Sequence, residues 1–170
     1  MFPRGLRWLW VVGWLVVLAG CGPVDAPGVA RRGQAAPDFA LPTLEGETAR
    51  LSDFRGRPIL LNFWNSWCPP CRTEMPELQR VQETLGERVV ILAVNLLYQE
   101  DNLDEVRAFV REAGISFPIL LDGQGQVAGE YRVHSLPTSF FLDAEGRIYL
   151  VQVGPMTQTF IESILREMLR

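Results

Sequence analysis

The chain has 170 residues, 48% of them hydrophobic and 21% charged, which suits one globular domain with an extension. Its 16 basic residues, all arginine, are outnumbered by 20 acidic ones, and the net charge of −4 argues against a nucleic-acid-binding domain. Three cysteines are too few for a disulfide-held scaffold, so a pair plus an odd cysteine is the pattern to account for.

Arg4 and Arg7 precede an apolar run from Trp8 to Leu18, which closes on Leu18-Ala19-Gly20-Cys21. A positive start, a short apolar core and small residues before a cleavage point make a signal peptide over residues 1–20. The closing four residues resemble a lipoprotein signal, in which cleavage precedes the cysteine and that cysteine carries the lipid. The resemblance makes Cys21 an attachment point to a lipid membrane rather than a third redox thiol. It also puts the rest of the chain outside the cytoplasm. An uncleaved anchor is the competing reading, but its apolar stretch is shorter than the roughly 20 residues that a spanning helix prefers. Gly22 to Ala35 is rich in Gly, Pro and Ala and reads as a flexible linker. Fully extended it reaches about 45 Å. The domain proper is expected over Ala36 to Arg170.

Pro37 to Leu41 reads as extended, Gly46 marks a turn, and Ala49 to Gly56 leads into the first core strand, Ile59 to Trp64. Trp67-Cys68-Pro69-Pro70-Cys71 comes next, then a helical stripe of Met75, Leu78, Val81 and Leu85. A strand feeding Cys-x-x-Cys at a helix start is the sequence form of a dithiol redox site. The spacing predicts Cys68 at the N-cap and Cys71 at the third helical position. There the unpaired first N–H groups and the helix dipole lower the pKa of a thiol and favour its thiolate. Pro69 and Pro70 forgo N–H groups that would be unpaired anyway, although Pro70 biases Pro69 away from the helical region and predicts some distortion of the first turn. Pro76 predicts a kink. Half a zinc site is the alternative for the two cysteines, but zinc wants four ligands, or three plus water, and only the distant Cys21 and the lone His134 remain. A purely structural disulfide across so few residues would stabilise little.

Val89 to Asn95 suits a central parallel strand. Asn102 to Ala113 is a helix capped by Asn102, with Glu105 three residues on and Gly114 at its end. Ile119 to Leu121 reads as a short strand and Gln126 to Tyr131 as a short helix. Thr138 to Leu142 and Ile148 to Val153 flank the hairpin turn Asp143-Ala144-Glu145-Gly146. Thr157 to Arg170 closes the chain as an amphipathic helix.

Trp67-Cys68-Pro69-Pro70-Cys71, Glu74, Pro76 and Leu136-Pro137-Thr138 resemble the thioredoxin superfamily, and more narrowly the TlpA/ResA-like thiol–disulfide oxidoreductases. The likeness spans Ala36 to Arg170. It implies an α/β thioredoxin-like fold, with a central mixed β-sheet flanked by helices on both faces. The expected order is β-α-β-α-β-β-α, with Asn102 to Tyr131 as the family's middle insertion. It implies a catalytic pair Cys68 and Cys71, with no cofactor or metal beyond their disulfide, and a cis Leu136–Pro137 bond whose loop binds the substrate chain. Trp67 would cover the rim of the site. Thioredoxins proper carry a buried Asp at the position of Asn62, and Asn cannot pass a proton. Glu74 matches a glutamate near the active site of the ResA-like group, and the hypothesis is that it tunes or deprotonates Cys71. The likeness further implies a reductase outside the cytoplasm, recharged by a membrane electron donor of the CcdA/DsbD type. Its clients would be apocytochrome c or copper-site proteins. A disulfide-forming oxidase is the nearest rival, and a copper-binding SCO-like module is the rival from another class. A peroxiredoxin fits less well, since Asn65 and Leu61 stand where its Thr or Ser and its Pro belong.

Overall fold

A computed structural model describes residues 32–170. The expected signal peptide, Cys21 and most of the linker lie outside the described residues. Gly33 and Gln34 exchange hydrogen bonds with Ile148, at 2.7 and 2.9 Å, and Ala35 bridges Arg147. The last residues assigned to the linker are thus tied to the domain, because their backbone groups find partners on an otherwise open strand edge.

Two short strands, β1 (Ala40–Pro42) and β2 (Thr48–Arg50), form an antiparallel hairpin, and a 3-10 turn over Leu51–Phe54 follows. Strand β3 (Ile59–Trp64) is buried at every position. Then come α1 (Pro69–Leu85), β4 (Val90–Asn95), α2 (Leu103–Glu112), β5 (Ile119–Leu121) and α3 (Gln126–Glu130). Strands β6 (Thr138–Leu142) and β7 (Ile148–Val153) make the expected hairpin, and α4 (Gln158–Met168) ends the fold. The five-stranded sheet runs β5-β4-β3-β6-β7, parallel from β3 to β5 and antiparallel across β6 and β7. The short strand and short helix expected within the middle insertion are present as β5 and α3, and β5 pairs in parallel with β4 to extend the sheet.

Alternation along the strands divides the core into two layers. Leu60, Trp64, Ile91, Ala93, Ile119, Leu121 and Phe141 face α1, α2 and α4. Ile59, Leu61, Phe63, Leu92, Val94, Leu120 and Phe140 face the β1–β2 hairpin and α3. Phe63, Tyr131 and Phe140 stack edge-on or tilted at 5.0–5.8 Å in this second layer. Tyr131 donates its hydroxyl to the carbonyl of Pro37 at 2.7 Å, which ties the hairpin lead-in to α3. Among the described residues no helix is long and apolar enough to cross a membrane.

Candidate active site

Helix α1 starts where the sequence predicts. Cys68 is its N-cap, its sulfur accepts the N–H of Cys71 at 3.3 Å, and the two prolines occupy the first two helical positions without interrupting the helix. The helix also runs through Pro76, at the cost of the bond that Pro76 cannot donate to the carbonyl of Arg72. Cys68 and Cys71 are joined by a disulfide, with Cα atoms 5.3 Å apart. Cys71 is fully buried and Cys68 is 4% exposed. The difference has a geometric origin: Cys68 opens onto a cavity of about 460 Å³ lined by Trp67, Pro69, Leu96, Gln99, His134 and Leu136, among others, whereas Cys71 does not line it.

The loop before β6 supplies the opposite wall. The Leu136–Pro137 bond is cis, and the carbonyl of Pro137 accepts the N–H of Gly154 at 2.9 Å. Leu136 lines the cavity and Pro137 is buried behind it. Trp67 is 56% exposed and its indole Nε1 donates to the carbonyl of Gln99 at 2.9 Å, so it forms part of the rim. Trp64 instead packs inside, its ring 5.4 Å from that of Phe109. His134 lines the cavity as well, yet among the described residues no three His, Cys, Asp or Glu side chains gather to hold a metal ion.

Glu74 is 1% exposed, held between α1 and the sheet. One oxygen accepts Nδ2 of Asn62 at 2.8 Å and the other accepts the N–H of Met156 at 3.0 Å. Asn62 donates its second N–H to Ser139 at 2.9 Å. Burial pushes the Glu74 carboxyl up from its ordinary 4.5 to about 7, while the two donors pull the other way and only partly offset it. Glu74 stands one helical turn beyond Cys71, at the spacing that puts two side chains on the same helix side. No described ion pair involves Glu74. A carboxyl raised toward neutral pH thus lies on the same side of α1 as the buried cysteine, one turn away.

Sequence reasoning missed two parts of this arrangement. Asn62 is not simply a lost acid: its amide is the side-chain donor that holds Glu74. Its place on β3, on the same alternation as Leu60 and Trp64, was the available signal. Glu100 is the second omission. Its carboxylate takes hydrogen bonds from Asn65, Ser66 and Asn95, which fixes the loop leading into Cys68. Nothing in the sequence places residue 100 against residues 65 and 66.

Comparison with known proteins agrees with this geometry. The family model described as AhpC/TSA family matches residues 32–151. The thiol–disulfide oxidoreductase ResA of Geobacillus kaustophilus is 44% identical over 133 residues, covering 76% of this chain and 74% of that protein. The thioredoxin-like protein YneN of Bacillus subtilis is 42% identical over 135 residues, 79% of each chain. Among solved structures, StoA from Bacillus subtilis superposes with a TM-score of 0.67 at 35% identity, covering 75% of this chain and 95% of that one. This chain carries a Cys-x-x-Cys disulfide at a helix N-terminus, and its chemistry is thiol–disulfide exchange. The chain belongs to the AhpC/TSA family of thioredoxin-like proteins, and within it to the ResA-like thiol–disulfide oxidoreductases.

Proposed function

We propose that the protein is an extracytoplasmic protein-disulfide reductase, held at a membrane by lipid on Cys21. Reduced Cys68, as the thiolate, attacks one sulfur of a client disulfide. The client S–S bond breaks, a mixed disulfide forms on Cys68, and the departing client sulfur takes a proton from solvent. Glu74 then accepts the proton of Cys71, whose thiolate attacks the sulfur of Cys68. The second client sulfur leaves and is protonated, and the Cys68–Cys71 disulfide re-forms. Two electrons have passed from the dithiol to the client. A membrane donor of the CcdA/DsbD type returns them.

The observation that carries the reductase direction is Glu74. While ionised, Glu74, buried one helical turn from Cys71, opposes a thiolate on Cys71 until it has taken that proton, so the second thiol of the pair gains little stabilisation and the dithiol holds its electrons weakly. Strong oxidants of this fold work the other way, by stabilising their reduced form. The assignment of Cys68 as nucleophile rests on its opening onto the cavity while Cys71 is sealed. Trp67, Leu136 and Pro137 would receive the client chain there. The clients we favour are the haem-binding cysteines of apocytochrome c or the cysteines of a copper site awaiting metal, on the strength of the likeness to ResA-type proteins.

The test is the reduction potential of the Cys68/Cys71 pair. A value near or below about −230 mV is expected. A value near about −120 mV would make the protein a disulfide-forming oxidant and overturn the direction proposed.

A further inference from the structure

Three residues separate the end of β3 from Cys68, and each is fastened to the segment that follows β4. Nδ2 of Asn65 donates to the carbonyl of Leu96 at 3.0 Å and to Oε1 of Glu100 at 2.9 Å. The N–H of Ser66 donates to the same Oε1 at 2.6 Å, and its hydroxyl to Oε2 at 2.6 Å. Trp67 holds the carbonyl of Gln99 through its indole. Asn95, the last residue of β4, adds a third N–H to Oε1 of Glu100 at 2.6 Å. On the far side, Arg72 donates to the carbonyl of Ser66 at 3.1 Å while its guanidinium lies over the ring of Phe109. Asn65 and Ser66 are buried, so the first two residues of the loop are sealed as well as tied.

Glu100 is the hub of this cluster. It joins no ion pair among the described residues, and the four hydrogen bonds it accepts come from neutral donors on three residues, Asn65 and Ser66 of the loop and Asn95 of β4. The loop in turn sets the cysteine: the carbonyl of Asn65 accepts the N–H of Cys68 at 3.4 Å, closing the turn that delivers Cys68 to the N-cap. A thiolate at that position is stabilised by the unpaired N–H groups of the first turn only while the turn keeps its shape. We propose that Glu100 is a positioning residue for thiol–disulfide exchange, acting through Asn65 and Ser66 to hold Cys68 at the start of α1.

The inference rests on Cys68 being the attacking thiol. Charge and geometry predict opposite signs when Glu100 is removed. Loss of a nearby negative charge alone makes a thiol more acidic. Loss of positioning makes Cys68 less acidic, moving it toward a free cysteine. The reduced full chain is alkylated with iodoacetamide across a pH series, and the labelled cysteine is mapped. Glu100→Ala is expected to move the midpoint for Cys68 up by about one pH unit, so that the rate at pH values well below the midpoint falls about tenfold. Glu100→Gln is expected to recover most of that loss. Its amide oxygen still accepts the three N–H groups, and its NH2 donates to the hydroxyl of Ser66.

A folded Glu100→Ala protein whose midpoint is unchanged or lower overturns the proposal, and so does a Glu100→Gln midpoint displaced as far as that of the alanine variant. Should Glu100→Ala fail to fold, Ser66→Ala decides. It removes one of the four bonds and is expected to slow alkylation at pH 7 about threefold, whereas a wild-type midpoint would overturn the inference. If the wild-type label maps to Cys71 instead, the nucleophile assignment itself has failed, and the role of Glu100 falls with it.

Discussion

Glu74 and Glu100 both put a carboxylate beside the Cys-x-x-Cys segment, one between α1 and the sheet and the other against the loop that precedes the helix. Glu74 is sealed from solvent with two donors, one per oxygen. Glu100 is partly buried and receives four. Two donors leave part of the desolvation of Glu74 unmet, and its carboxyl is pushed up to about 7. Four donors make Glu100 a fastening between two chain segments. The same side chain thus suits the proton exchange proposed for Glu74 or the holding of a loop proposed for Glu100, according to how completely its oxygens are satisfied.

The largest expected effect separates the two through stability. Glu74 binds its proton more readily in the folded chain, with a carboxyl near 7, than in the unfolded chain, with one near 4.5. Between those values the folded state carries the extra proton, so stability falls as pH rises. The contribution is fully present below pH 4.5 and is lost as pH passes through about 7. Its size is about 2–3 kcal/mol between pH 5 and 8. Glu74→Gln removes the titration. Urea unfolding of the oxidised protein at pH 5 and pH 8 should show the wild type losing that much more than the variant. Carboxylates common to both proteins, such as Glu77 and Glu162, cancel in this difference. Equal losses would show that burial does not raise the Glu74 carboxyl, and the significance given to its two donors would fall.

Changing a donor rather than the carboxylate sharpens the contrast. Asn62→Ala removes one of the two groups that favour charged Glu74. A hydrogen bond to a charged group contributes about 1.5–3 kcal/mol, so the Glu74 titration should move up by about one to two pH units. Carbon NMR of the labelled carboxyl follows it directly. A downward move would mean that Asn62 stabilises the protonated acid, contrary to the role given to it here.

What the sequence could disclose follows from the range of the interactions involved. The helix start at Cys68, the Asn102 cap and the β6–β7 turn depend on neighbours within a few residues, and each stands where the local pattern puts it. The opening of Cys68 but not Cys71 onto the cavity also follows from their places on one helix turn. Contacts across the fold were another matter. That Asn62 reaches Glu74, and that they connect to Ser139 and Met156 respectively, depends on α1 packing over β3 and on β3 pairing with β6. The Glu100 cluster joins segments 34 residues apart that meet only because β3 and β4 pair in parallel. The guanidinium of Arg72 likewise meets the ring of Phe109 only because α2 packs beside the start of α1. Local chemistry was readable, while the partners of buried polar groups needed the register of the sheet.

The smallest expected effect lies on the Glu100 side, at the exposed end of the same loop. Trp67→Phe keeps an aromatic ring on the rim but loses the bond from Nε1 to Gln99. With the indole 56% exposed, water can replace much of that bond, and the cost to stability should stay between about 0.5 and 1 kcal/mol. The same loss, felt as a looser wall of the client cavity, corresponds to a rise in KM for a client disulfide of about threefold, with kcat changed less. Denaturant unfolding and steady-state kinetics on one preparation give both numbers. If kcat falls and KM does not, Trp67 belongs with Glu100 in holding Cys68, and the loop acts as one unit from Asn65 to the cysteine. If KM alone moves, the fastening ends at Ser66 and Trp67 serves the client.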